Sequence, residues 1–132
     1  MSRMVGVLLI MSALALASGC NSSSSGGSST DDRKTALAEL GLLLKGLPAD
    51  GQKPPTKQAE LDPMDPMIPL AGPAIRSGEI VYYWGAGYAA GGSQVVAYEK
   101  KVPTEGGFVL LQDGSVKEMS ASEFQSAPKA KK

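Results

Sequence analysis

An α+β fold, with one N-terminal helix packed on a small antiparallel sheet, is predicted by three features of the sequence. Leucines recur at helical spacing between Ala36 and Leu47. From Glu79 onward the apolar residues fall instead into short runs rich in β-branched and aromatic side chains. Between the last two runs stands Asp113-Gly114, a dipeptide strongly suited to a tight hairpin. A length of 132 residues predicts a single small core and no second domain. The expected division is a signal peptide over 1–19, a cysteine and Ser/Gly linker over 20–30, a head over 31–128 and a basic tail over 129–132.

The first segment is a targeting signal. Arg3 supplies a positive start, and the apolar run Met4 to Ala17 is short of the roughly 20 residues that a membrane-spanning helix needs. The small residues Ala17, Ser18 and Gly19 then stand directly before Cys20 in "LASGC". An ordinary secretory signal with a chance cysteine at the cut is the competing reading. From Asn21 to Thr30 the chain reads "NSSSSGGSST", which has no apolar residue to fold on. A flexible coil of that length spans roughly 17 Å, so it reads as a tether, or as a glycosylated or protease-sensitive stalk.

"LASGC" resembles the lipobox of bacterial lipoproteins, although Ala17 stands where that family usually has leucine. The resemblance implies a diacylglycerol on the Cys20 thiol, cleavage before Cys20 and an acylated new amino group. Two or three acyl chains, each gaining about 0.8 kcal/mol per buried methylene, give stable anchoring without a spanning helix. Asn21, in place of the aspartate that favours the inner membrane in such proteins, implies the outer membrane rather than the inner. The expected partners are therefore the membrane, through the N-terminal lipid, and an envelope protein of unknown identity.

The head begins with a helix. Ala36, Leu37, Leu40, Leu43, Leu44 and Leu47 make one apolar stripe, Asp31 and Asp32 suit the positive end of the helix dipole, and Ser28 or Ser29 can cap it. Gly46 and Pro48 mark its end. The stripe is read as a core face, with a membrane-surface or partner-helix face as alternatives. Pro48 to Pro73 then holds most of the chain's nine prolines and predicts irregular structure, either a loop laid over the head or a partly disordered belt. Asp62 and Asp65 are better read as turn-forming Asp-Pro pairs than as calcium ligands, because too few oxygens converge.

Three or four strands are expected next. "EIVYYW" and "QVVAYE" are separated by the glycine-rich "GAGYAAGGS", and "FVLLQ" and "SVKEM" flank Asp113-Gly114. The spacing predicts a two-residue type I′ turn with positive φ at both central positions, with Val109 and Leu111 on one face near Val116 and Glu118. Gly85, Gly87 and Gly91 do not make a dinucleotide site, since a strand rather than a helix follows them. Ser120 and Glu123 read as a capping box opening a short helix that ends near Pro128.

Composition narrows the chemistry. Thirteen basic residues balance thirteen acidic ones, which excludes the basic face of a nucleic-acid binder. There is no histidine and the only cysteine is Cys20, so zinc sites, Cys-His pairs and Ser-His-Asp triads are not expected, nor is any other metal or cofactor. Tyr83, Trp84 and Tyr88, with Tyr82 and nearby Glu79 or Glu99, form the one aromatic cluster suited to ligand contact. Aromatic residues also pack cores, which is the preferred reading here.

A second resemblance lies in Val95 to Gln125. Ala97, Tyr98, Glu99, Gly106, Gly107, Val109, Leu110, Asp113, Gly114 and Val116 match the C-terminal pattern of pilin-like proteins marked by a His-x9-Asp-Gly motif, which are related to type II secretion pseudopilins. The match covers about a quarter of the chain. Pro103 stands where that motif has its histidine, Ser115 replaces the histidine after Asp-Gly, and a lipobox replaces the long filament-forming helix. The resemblance implies a pilin-like head, displayed on lipid rather than built into a shaft. Asp113 and Gly114 then serve as turn residues. The expected role is non-catalytic binding or scaffolding, beside a secretion or pilus-like system. The alternative is a lipid-anchored small-ligand carrier or enzyme using the aromatic cluster.

Overall fold

Ser29 opens the first helix by a reciprocal cap. Its hydroxyl accepts from the Asp32 amide at 3.2 Å, and the Asp32 carboxylate accepts from the Ser29 amide at 3.1 Å. The computed structural model describes residues 29–131, so the signal peptide, Cys20 and most of the linker read from the sequence lie outside the described residues. Helix α1 runs Thr30–Gly46 and buries Ala36, Leu37, Leu40, Gly41, Leu43 and Leu44, with Leu47 just after it. The leucine stripe is a core face, as its spacing predicts.

The proline-rich segment is irregular over 48–57, as expected, but departs from expectation from Gln58 onward, where it is ordered into short helical pieces. Helix α2 (Gln58–Leu61), a 3-10 turn (Asp62–Met67) and helix α3 (Ala71–Ser77) lay Leu61, Ile68 and Ala71 into the core. Pro63 and Pro73 fall in the first turns of their helical segments, where a missing N–H costs no helical bond. Asp65 accepts from Arg76 Nη1 at 2.6 Å and Asp62 does so at 3.3 Å, which pins α3 to the 3-10 turn.

Four strands follow in an antiparallel meander of order β1-β2-β3-β4: β1 Ile80–Tyr82, β2 Val95–Glu99, β3 Gly107–Leu111 and β4 Val116–Met119. One face, carrying Ile80, Tyr82, Val96, Ala97 and Leu110, packs on α1 and α3. The other carries Val95, Val109 and Met119 and is covered by helices α4 (Val102–Glu105) and α5 (Ala121–Ser126) through Val102 and Phe124. Because both faces are covered, β2 reads as a nearly unbroken apolar run rather than an alternating one. Ser120 and Glu123 form the capping box of α5. The chain after Pro128 runs beside β2, with Val95 donating to Pro128 O and Ala130 donating to Val95 O, so a free tail begins no earlier than Lys131.

The last hairpin has a different register from the predicted one. Leu110 pairs with Val116 and Val109 with Lys117, the Leu111 amide donates to Ser115 O at 2.9 Å, and the Gly114 amide donates to Leu111 O at 3.0 Å. The loop is therefore the three residues Gln112 to Gly114, with Gly114 at φ 85° in the bulge position. This register places Leu110 and Val116 together towards α1; a two-residue loop would have set them on opposite faces. Val116, paired with Leu110, and Glu118, paired with Phe108, thus lie on the opposite face of the sheet from Val109 and Leu111 rather than beside them. Asp113 Oδ1 fixes the bend by accepting from the Ser115 amide at 2.9 Å and its hydroxyl at 2.6 Å, and these bonds hold the carboxyl below the usual range.

An amide oxygen can accept both bonds, so Asp113→Asn should leave the midpoint of urea unfolding close to that of the parent. Gly114→Val should cost about 2 kcal/mol, since an added Cβ meets nothing closer than 3.9 Å and the penalty is that of a branched residue at positive φ. Equal stability of the two variants would contradict the loop geometry.

Candidate functional site

Among the described residues Glu99 is the only buried charged one, at 1% exposure. It ends β2 on the face towards α1, where the β2-β3 ladder has stopped at Tyr98 and Val109. Its side chain takes over the next main-chain partner: the Phe108 amide donates to Oε2 at 2.7 Å. Gly107 makes room for this, because a Cβ there would lie 2.4 Å from Oε2. The other oxygen, Oε1, is buried without a hydrogen-bond partner among the described residues. Arg33 Nη1, from the first turns of α1, stands 3.9 Å from Oε1, which is ion-pair range and too long for a hydrogen bond.

Glu99 forms part of the wall of a cleft of about 420 Å³. Arg33 comes from α1, Glu79 precedes β1, and Lys100 and Lys101 follow β2. Thr104 and Glu105 of α4 complete the rim. The cleft can hold a small polar molecule between fixed charges of both signs. A smaller groove, of about 230 Å³, lies between α1 and the 3-10 turn, walled by Leu43, Leu47 and Met64 beside exposed Leu42 and Met67. It contains no buried charge.

The aromatic residues singled out from the sequence are placed differently. Tyr82 is buried and its hydroxyl donates to Ala86 O, and burial pushes its phenol well above the ordinary range. Trp84 meets the Tyr82 ring edge-on at 5.1 Å, and Tyr88 lies under Lys45 at 5.9 Å. The Tyr83 ring is 5.8 Å from that of Tyr98, which belongs to the cluster on the other side of the sheet, and burial followed by the Tyr98 hydroxyl raises its phenol. Trp84 and Tyr88 pack against the core on the α1 side, Tyr83 touches the clusters on both sides of the sheet, and none of the three lines the Glu99 cleft. Glu79 and Glu99, named with them, do come together in that cleft. Gly85, Gly87 and Gly91 lie in the β1-β2 loop.

Sequence does not mark Arg33 as a site residue, because it stands in the polar first turns of a helix, where charged side chains usually face water. The available signal was Glu99, a carboxylate ending an otherwise apolar strand, followed eight residues later by Gly107. Cys20, the predicted lipidation site, lies outside the described residues. Comparison with family models, curated proteins and solved structures finds no match. The lipobox and pilin-like resemblances therefore stand on the residues that carry them.

Proposed function

We propose that this chain is an envelope lipoprotein, anchored by acyl groups on Cys20 and more at home in the outer than the inner membrane. Its head binds or scaffolds rather than catalyses, beside a secretion or pilus-like system. The observation that carries the reading is the order of "LASGC", a serine-rich tether and a head that begins at a capped helix. A lipid anchor and a tether of roughly 17 Å present such a head close to the membrane surface. The helix-on-sheet arrangement is compatible with a pilin-like head, but fold likeness alone assigns no role. A second reading, a small-ligand carrier, is favoured by the cleft around Glu99, although not by the aromatic cluster.

Mass spectrometry of the mature N-terminus tests the anchor. The expected result is a chain beginning at acylated Cys20, with palmitate label lost in Cys20→Ala and the unacylated product released from the membrane if it is still cleaved. A mature chain that starts elsewhere, or an unmodified cysteine, overturns the reading. Crosslinking of the anchored protein in its own envelope should recover a protein partner if the head scaffolds.

A further inference from the structure

We infer that the Glu99 cleft binds a small zwitterion, a free α-amino acid, with its ammonium on Glu99 Oε1 and its carboxylate on Arg33. This rests on the reading of the head as a binding module and names the ligand class of that module. Glu99 is held in place from one side only. Oε2 is committed to the Phe108 amide, while Oε1 is buried with lone pairs unused. A buried carboxylate oxygen without a donor is costly, and its natural complement is a group that brings both N–H donors and positive charge.

Arg33 approaches but does not supply that bond, since 3.9 Å is beyond hydrogen-bonding reach. Its guanidinium makes no side-chain hydrogen bond among the described residues and so has donors to spare. The two unsaturated groups stand side by side with opposite charge. Oε1 itself has almost no exposed surface, so a ligand carrying an ammonium and a carboxylate on one carbon reaches it as the part-exposed Arg33 side chain turns outward to take the carboxylate, after which four charges alternate and each finds a partner. The rest of the wall fits an uncharged total: Lys100 and Lys101 against Glu79 and Glu105. A simple anion would bring its charge against Glu99, and a simple cation would bring its charge against Arg33. At about 420 Å³ the cleft is in the range of small-molecule sites.

The Phe108 amide bonds to Glu99, so it reports on the site directly. The test is a titration of the full-length ¹⁵N-labelled protein, prepared from whichever fraction contains it, with alanine, glycine betaine and acetate. Alanine should shift the Phe108 resonance saturably. Betaine, which keeps both charges but has no N–H, should bind at least about tenfold more weakly, and acetate likewise. Glu99→Gln and Arg33→Met should each weaken alanine by at least about tenfold. Arg33 is part-exposed, so Arg33→Met keeps the test open if Glu99→Gln fails to fold. Absence of saturable alanine binding overturns the inference, as does equal binding of betaine or unaltered affinity in Arg33→Met. The mass of the N-terminus in the same sample reports on anchoring separately, so failure of the ligand and failure of the anchor are told apart.

Discussion

Gly41→Ile is expected to destabilise the head by about 3 kcal/mol, a loss of roughly 15 °C in Tm for a domain of this size. Gly41 lies in the middle of α1, where glycine is ordinarily the poorer helix former by about 1 kcal/mol. It is there because the hairpin turn comes down onto the helix. A Cβ at Gly41 would lie 2.9 Å from Leu110 Cδ1 and 3.0 Å from the Gly114 carbonyl oxygen. Leu110 is fully buried and cannot swing away, and the Gly114 carbonyl belongs to a loop whose conformation is already fixed by Asp113. A branched side chain must therefore push α1 off the sheet. Gly46→Ala in the same helix is the control. Nothing lies within 4 Å of a Cβ there, so it should be neutral or stabilising by up to about 1 kcal/mol. Thermal and urea unfolding of the two variants read the difference, and a Gly41→Ile protein as stable as Gly46→Ala would mean that helix and turn do not meet as described.

That contact shows where sequence reading stops. The spacing of Leu37, Leu40 and Leu44 depends only on the period of a helix, and the Asp113-Gly114 turn only on local backbone preference, so both were legible. Gly41 could not be understood from its neighbours, because its reason is Leu110 and Gly114, far away in the chain. The hairpin register escapes the sequence for a related cause. Asp-Gly suits two loop lengths, and the choice is made by which residues must face α1, a tertiary question. The prolines of 48–73 look like helix breakers in sequence, yet two of them fall in first turns where proline costs little. At the site, Glu99 and Glu79 stand near the aromatic residues in sequence but share a cleft with Arg33, which only the packing of α1 brings to them.

Glu99→Ala is expected to cost about 3 kcal/mol, although it removes a buried charge. Two effects oppose each other. Deleting a carboxylate with one unpaired oxygen relieves a desolvation penalty, and apolar replacement of buried ionic groups is neutral or stabilising in many settings. Against this, the Phe108 amide loses its acceptor where the β2-β3 ladder has already ended, at a cost of about 1–3 kcal/mol, and the side chain leaves a void beside Gly107. The second effect wins because alanine satisfies no donor and Gly107 has no side chain with which to fill the space. Glu99→Gln separates the two: its carbonyl oxygen can accept from Phe108 and its volume is conserved, so about 1 kcal/mol is expected, from the lost attraction to Arg33. Urea unfolding gives the order parent, glutamine, alanine. Hydrogen exchange at Phe108 should be accelerated in the alanine variant beyond what the global loss explains. If the alanine variant proves as stable as the glutamine variant, the carboxylate is not serving as a strand partner for β3.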